Sequence, residues 1–183
     1  MQITASPYAV FSPSNLVRLL WQRTVRAATT FPTLRGWLET LALFALVAVP
    51  AYFISTSYGW YTRPPADDPA VWVAKFAGAL IAPALIEEII CRVWMVPHRS
   101  EVVTRTWRWG VWAGALFFYV IIHPINGMIS GGFMGELFVR PSYIIIVTML
   151  GIACLASYHR TGSLYAPTLI HALIVGSWSI LRG

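Results

Sequence analysis

Two adjacent glutamates and an arginine lie inside one apolar stretch of this 183-residue chain. The stretch IAPALIEEIICRVW, residues 81–94, contains Glu87, Glu88 and Arg92. One charged side chain at the centre of a membrane helix costs about 3 kcal/mol on insertion scales. Glu88 and Arg92 are separated by one helical turn and can pair, whereas Glu87 points about 100° away. The stretch therefore predicts a structural ion pair beside a carboxylate that can take a proton from water, as a general base does.

Two histidines lie in other apolar segments, His123 at the end of ALFFYVIIHP and His171 within YAPTLIHALIV. A single histidine in such a segment is more often a hydrogen-bonded packing residue than a catalyst. Two of them, together with the Glu-Glu-x-x-x-Arg stretch, favour a site where a carboxylate and imidazoles activate water. One glutamate and two histidines are also a common zinc-ligand set, although no His-Glu-x-x-His pattern is present. His98 and His159 neighbour arginines and are interpreted as solvated interfacial residues.

The chain has the composition of an integral membrane protein. Hydrophobic residues make up 57% of it and charged residues only 11%, whereas a soluble domain has about 25% charged residues. Its net charge of +6 comes from short clusters beside apolar segments, a pattern typical of membrane topology and not of a nucleic-acid groove. We therefore expect an all-α, polytopic transmembrane helix bundle with the lipid bilayer as a partner and no bound nucleic acid.

Five apolar segments are candidates for membrane spans, which need about 20 apolar residues. They run near Leu34–Ile54, Val71–Val96, Trp109–Ile129, Tyr143–Tyr158 and Leu164–Leu181. Upstream, apolar residues from Leu16 to Leu20 share one helical face among arginines, which predicts an amphipathic helix on the membrane surface. The chain thus divides into a membrane-surface segment, 1–33, and a transmembrane domain, 34–183.

The arginines predict an orientation. They concentrate in the N-terminal region, in the loop at 97–109 and in the loop at 159–163, whereas Arg63 in the first loop is offset by Asp67 and Asp68. By the positive-inside rule the N-terminus and the second and fourth loops face the cytoplasm, and Gly183 faces the opposite side. The chain is expected to be a multi-pass protein of a cell membrane, the cytoplasmic membrane of a prokaryote.

Three segments resemble, in order and separation, the motifs of the CAAX protease and bacteriocin-processing family of intramembrane proteases. EEIICR is similar to the Glu-Glu-x-x-x-Arg motif, and YVIIH is similar to Phe-x-x-x-His. GSLYAPTLIHALIV resembles the segment in which His-x-x-x-Asn follows a Gly-x-x-x-x-Pro stretch. The resemblance covers roughly residues 70–180. It implies an intramembrane endopeptidase that cleaves a protein or peptide substrate by a glutamate-dependent mechanism, with no obligatory metal or other cofactor.

The resemblance also implies a role for each matching residue. Glu87 would activate the attacking water, His123 would help to hold and deprotonate it, and His171 would belong to the oxyanion site. Glu88 and Arg92 match the remaining positions of the first motif, where we expect a supporting ion pair.

The chain departs from the family motifs at three positions. Tyr119 replaces the motif phenylalanine, and Val175 replaces the motif asparagine. Because valine cannot donate a hydrogen bond to an oxyanion, Asn126 is our first candidate to replace that asparagine. Pro124 follows His123 directly, which predicts a break in the helix at that histidine.

Two other functions stay open at this stage. The same residues could form a zinc-dependent intramembrane protease. Val175 instead favours a non-catalytic relative that acts as an immunity or chaperone-like membrane protein. The resemblance allows prenylated proteins, leader peptides or sorting tags as substrates, and the sequence fixes no oligomeric state.

Overall fold

The structure, a computed structural model, describes residues 12–61 and 68–182. Within these ranges every regular element is helical, which confirms the predicted all-α bundle. The helices are α1 Pro13–Thr29, α2 Leu34–Ser57, α3 Pro69–Ala79, α4 Ile86–Glu88, α5 Arg105–Ser130, α6 Gly132–Phe138, α7 Pro141–Thr161 and α8 Tyr165–Leu181, with π-helical stretches Leu80–Leu85 and Ile89–Trp94 on either side of α4. The topology predictions for Arg63, Asp67 and Gly183, and the first third of segment 1–33, lie outside the described residues.

Four helical segments are long and apolar enough to cross a membrane: Leu34–Ser57, Pro69–Trp94, Arg105–Ser130 and Pro141–Thr161. The fourth is longer than predicted, because the helix begins at Pro141, a favoured first helical residue, and ends at a left-handed Gly162. The fifth predicted span, α8, has 17 residues and lies at the lower limit of about 17–25 residues for a spanning helix. The chain is a multi-pass membrane protein.

The short helix α8 lies inside the bundle, in contact with α2, α3 and α7. Helix α7 is the most buried of the four long spans and packs closely on α5. A Cβ atom built at Gly151 of α7 would lie 2.7 Å from Leu116 Cδ1 and 2.9 Å from Tyr119 Cδ1. The absence of a side chain at Gly151 therefore allows the two helices to approach, and it seats Tyr119 against α7.

The second long span contains the main irregularity of the described chain. Ala82 has an extended backbone, with φ of −143° and ψ of 121°, and it precedes Pro83. The π-helical stretches on either side of α4 add a residue to the turn, a feature frequent at functional sites. The two glutamates of α4 lie on the C-terminal side of this break, where Glu88 is fully buried and the Glu87 side chain is 27% exposed.

The predicted break at Pro124 is wrong. Helix α5 continues through Pro124 to Ser130. A proline inside a helix removes one backbone hydrogen bond, but a long helix packed against neighbours can accommodate that loss. Here α5 packs on both α6 and α7. The helix break lies instead in the second long span, at Ala82.

Helix α1 and the loops assigned to the cytoplasm meet at one end of the bundle. The Arg23 guanidinium donates to both carboxylate oxygens of Glu101, at 2.9 and 2.7 Å. Arg99 Nη1 donates to the carbonyl oxygens of Arg160 and Thr161, at 2.9 and 3.2 Å. These contacts join α1, the loop at 97–104 and the turn between α7 and α8, the regions that the arginine pattern assigned to one side.

His98, interpreted from sequence as solvated, is instead buried, with 5% of its surface exposed. Its Nε2 donates to the Gly162 carbonyl oxygen at 3.0 Å, and its Nδ1 lies 2.8 Å from Ser100 Oγ. His98 therefore links the loop at 97–104 to the turn between α7 and α8. The neighbouring arginines gave no sign of this, because the partner is a backbone carbonyl far along the chain.

Candidate active site

A cavity of about 710 Å³ opens between the helices, and most of the predicted site residues line it. Glu87 comes from α4, His123 and Asn126 come from α5, and His171 and Val175 come from α8. The cavity is thus bordered by side chains that are far apart in sequence but converge on one space. Tyr119 lines it as well, whereas Glu88 and Arg92 lie behind its wall.

Glu88 and Arg92 form the predicted pair. Arg92 Nε lies 3.3 Å from Glu88 Oε2, and both side chains are fully buried. This contact is close enough for charge pairing although it lies outside hydrogen-bond geometry. The Arg92 guanidinium also lies over the Tyr119 ring, 4.5 Å from its centroid, and Arg92 Nη2 contacts the Gly151 carbonyl oxygen at 3.4 Å. Arg92 therefore joins α5 and α7 to the glutamate helix.

Glu88 has a second partner that the sequence did not predict. Its Oε1 lies 2.9 Å from Nδ1 of His171, on a different helix. Because a carboxylate only accepts hydrogen bonds, Nδ1 carries the proton and Nε2 is the nitrogen left for the cavity. Glu88 therefore orients the His171 ring in addition to neutralising Arg92. No spacing rule signals a contact between residues 83 positions apart.

Glu87 is the carboxylate that faces the cavity. Its Oε2 lies 3.8 Å from His171 Nε2, beyond hydrogen-bond distance. Among the described residues, no group donates a hydrogen bond to this buried oxygen. The two adjacent glutamates thus have different surroundings, since Glu88 is held by Arg92 and His171 while Glu87 keeps an unused acceptor. A water molecule between Glu87 and the histidines would find an acceptor already in place.

His123 is held by its own helix. Its Nδ1 donates to the Tyr119 carbonyl oxygen at 2.8 Å, which leaves the lone pair on Nε2. The ring is buried among Tyr119, Phe138 and Tyr143, with ring centroids 5.0 to 6.1 Å from its own. A fixed neutral imidazole with a free Nε2 can accept a hydrogen bond from water.

The two positions that the sequence analysis linked to an oxyanion site also line this cavity. Val175 contributes only hydrocarbon there, and Asn126 lies on α5 one turn beyond His123. Sequence reasoning undervalued Tyr119, whose hydroxyl is buried and has no hydrogen-bond partner in the described part of the chain. The replacement of phenylalanine by tyrosine in the second motif was the available signal for this extra donor.

In residues 12–61 and 68–182, no group of three or more His, Cys, Asp or Glu side chains is arranged to hold a metal ion. The two imidazole Nδ1 atoms already bind Tyr119 and Glu88. The Nε2 atoms of both histidines and the Glu87 carboxylate are the imidazole and carboxylate groups left to act on a ligand in the cavity.

Comparison with protein families identifies the chain. The family model described as type II CAAX prenyl endopeptidase Rce1-like matches residues 69–176, which is more than half of the chain. The match includes α4, the histidine of α5 and the histidine of α8. No curated protein and no solved structure was found to match. The glutamate pair and the two cavity histidines all fall within the matched region, and the chain belongs to the Rce1-like family of type II CAAX prenyl endopeptidases.

Proposed function

We propose that this protein is a glutamate-dependent intramembrane endopeptidase that hydrolyses a peptide bond of a membrane-associated substrate. The observation that carries the proposal is the convergence of Glu87, His123 and His171, from three helices, on one cavity within the bundle. Membership of a family of CAAX endopeptidases supports the same reaction class. The protein would act in the cytoplasmic membrane of a cell.

In this mechanism Glu87 is the general base. Its carboxylate accepts a proton from water while His123 Nε2 accepts a hydrogen bond from the same water and orients it. The water oxygen bonds to the substrate carbonyl carbon, and the carbonyl π electrons move onto oxygen to give an oxyanion. When the tetrahedral species collapses, the carbon–nitrogen bond breaks. The leaving amine takes the proton that Glu87 holds, so the carboxylate is regenerated.

His171 and Glu88 would act together on the oxyanion. His171 Nδ1 donates to Glu88 at 2.9 Å, so Nε2 can donate only when the ring is protonated. The Glu88 carboxylate stabilises that protonated ring, as an orienting carboxylate does in other catalytic pairs. Glu88 is therefore proposed to support catalysis through His171 and to support folding through Arg92.

A second oxyanion donor would come from Asn126 or Tyr119. Both line the cavity, and Val175 supplies no donor. Asn126 offers an amide on the helix of His123, and Tyr119 offers a buried hydroxyl that no described residue engages. One oxyanion donor is typically worth about 10²–10³ in turnover, so the two assignments can be separated by mutation.

The cavity walls suggest the substrate. Apart from the site residues they are largely apolar and aromatic, including Phe44, Trp60 and Ile146. Such walls suit an apolar peptide segment or an attached hydrocarbon chain. The family description names prenyl endopeptidases, and a prenylated protein is accordingly the proposed substrate. Leader peptides and sorting tags are the other substrates to be compared.

The proposal is tested by comparing membranes that contain the wild type, Glu87→Gln or Glu136→Gln. Glu136 is a matched control because its side chain is 74% exposed on α6. Mass spectrometry of new protein termini should find products with the wild type and the control that are missing with Glu87→Gln. Cleavage that survives in Glu87→Gln would reject Glu87 as the base.

The same experiment separates the alternative functions. If none of the three membranes contains new termini, but the protein still has a biological effect, the result would favour the non-catalytic relative that Val175 suggests. Products that disappear after chelation, with stoichiometric zinc in the purified protein, would favour the zinc-dependent protease. Products that persist after chelation support the glutamate-dependent mechanism.

A further inference from the structure

A second cavity, of about 350 Å³, lies at the end of the bundle that carries α1 and the loop at 97–104. It lies between the start of α5 and the end of α7, and it shares no lining residue with the candidate active site. We call it the basic pocket. It is lined by Val103, Arg105, Arg108, Trp109, Trp112 and His159.

Within residues 12–61 and 68–182, the arginines of the basic pocket have no compensating carboxylate. Glu101 is the acidic residue of the adjoining loop, but Arg23 engages both of its carboxylate oxygens and the His98 N–H also donates to one of them. Among the described residues, neither Arg105 nor Arg108 forms an ion pair. None of the described residues that line the pocket is acidic, so its lining carries an excess of positive charge.

Hydrogen-bond donors in the pocket are also unused. Arg108 Nη2 donates to the backbone carbonyl of Glu101 at 3.0 Å, whereas Arg108 Nη1 is buried and has no acceptor in the described part of the chain. The same holds for Trp112 Nε1. A buried donor without an acceptor costs about 1–3 kcal/mol, so these two groups favour a ligand that brings acceptor oxygens.

Aromatic rings make the walls of the pocket. Trp112 packs edge-to-face against Trp109 and against His159, with ring centroids 5.1 and 4.8 Å apart. Both arginines line the same pocket as these rings, and a guanidinium fork matches the spacing of phosphate oxygens. Two such forks, an indole N–H and an imidazole are suited to a phosphate group.

We propose that the basic pocket binds the phosphate of an anionic phospholipid headgroup. Helix α5 is one of the long apolar spans, and Trp107 and Trp109 in its first turns are 62% and 56% exposed. Exposed tryptophans at the end of a span are typical of the headgroup level of a membrane. The pocket therefore lies where lipid phosphates lie, and its net positive charge favours an anionic over a zwitterionic headgroup.

Native mass spectrometry of the purified protein tests this proposal. We expect the wild type to retain one phosphatidylglycerol molecule more tightly than phosphatidylcholine, and Arg105→Gln/Arg108→Gln to weaken phosphatidylglycerol retention by about tenfold. The matched control, Arg18→Gln/Arg35→Gln, removes two charges outside the pocket and should retain the lipid. Arg105→Glu is a second variant, because Arg105 is exposed and a glutamate in the first helical turn does not oppose folding.

The outcomes decide the proposal. Equal retention of phosphatidylglycerol by the wild type, both pocket variants and the control would overturn it. Equal retention of phosphatidylglycerol and phosphatidylcholine by the wild type would overturn the preference for an anionic headgroup. A further measurement with added inorganic phosphate distinguishes a lipid headgroup from a free phosphate ion, since both offer the same acceptor oxygens. Displacement of lipid by millimolar phosphate would support the site but assign it to free phosphate.

Discussion

At the scale of single residues, adjacent carboxylates have been given different surroundings. Glu88 is fully buried between Arg92 and His171, and Glu87 faces the cavity with an unused acceptor oxygen. A buried charge held by two partners is part of the folded structure, whereas one without a partner is available for chemistry. The two positions should therefore respond differently to the same substitution.

We predict that Glu87→Gln reduces turnover by about 10²–10⁴, because a general base is lost, with normal yield of folded protein. Glu88→Gln should reduce both turnover and stability. Its charge pairs with Arg92 and orients His171, and breaking a buried pair typically costs about 3–5 kcal/mol. Thermal melting and initial rates in detergent measure both effects. A stable, fully active Glu88→Gln protein would contradict this assignment.

A second pair of substitutions identifies the oxyanion donor. Asn126→Ala or Tyr119→Phe should reduce turnover by about 10²–10³, whichever removes the donor. Tyr119→Phe keeps the ring that lies under Arg92, so loss of rate cannot be ascribed to that contact. Val175→Asn should partly restore the affected variant. Unchanged rates in both variants would leave backbone N–H groups as the donors.

At the scale of helices and loops, close packing at a few positions sets how the elements meet. Helix α7 approaches α5 at Gly151, and the loop at 97–104 is tied to the turn between α7 and α8 by His98. The first contact aligns Tyr119 and Arg92 with the site, and the second holds the end of the bundle where the basic pocket opens. Loss of either contact should be visible in the stability of the protein.

Gly151→Ala should destabilise the protein by about 1–3 kcal/mol, because the added methyl group would lie 2.7 Å from Leu116 Cδ1. Gly114→Ala on α5 is the matched control. Nothing lies within 4 Å of a Cβ there, and alanine has the higher helix propensity. Thermal melting of both variants in the same detergent measures the difference. Equal melting temperatures would show that α5 and α7 adjust without cost.

Stability should fall in mild acid through His98. Burial lowers the pKa of His98, against opposing contributions from the Gly162 carbonyl and Glu101. As pH falls, a histidine in the unfolded chain, with a pKa of about 6.5, therefore binds a proton before His98 does in the folded protein. Above about pH 6.5 both states hold a neutral histidine and the full stability is present, whereas below about pH 6.5 the free energy of unfolding falls. His98→Gln should show a shallower decline in melting temperature between about pH 7 and pH 5. An identical decline would exclude His98 as the cause.

At the scale of the whole molecule, arginines are concentrated at one end of the bundle. Helix α1, the loop at 97–104 and the turn after α7 share one end, where arginines bind across elements. Helix α1 exposes Leu16 and Trp21, and we expect these apolar side chains to face the lipid surface. This arrangement agrees with a cytoplasmic location for that end, the side on which arginine-rich loops accumulate.

The orientation is testable with reporter fusions. Reporters placed after Gly59 and after Arg99 should report opposite sides of the membrane, because the second long span, Pro69–Trp94, lies between them. The Arg99 fusion is expected on the cytoplasmic side. Fusions at residue 12 and after Arg99 should agree with each other. The same side at Gly59 and Arg99 would refute this map.

The sequence by itself determined the properties that depend on local composition and spacing. Low charge and long apolar runs predicted a membrane helix bundle, and the spacing of Glu88 and Arg92 predicted their pair. Three motif segments predicted the family that the comparison then confirmed. Each of these follows from neighbours along one helix or from the average polarity of a segment, which the printed residues contain.

Only the tertiary structure decided the contacts between distant residues. The bond from His171 to Glu88, the burial of His98 and the continuous path of α5 through Pro124 all depend on which helices lie side by side. The second long span is extended at Ala82, before Pro83, whereas α5 continues through Pro124, so two prolines in apolar helices have different effects although the residue is the same. The spacing of residues along the chain does not indicate which side chains meet between helices, because those contacts depend on how the helices pack.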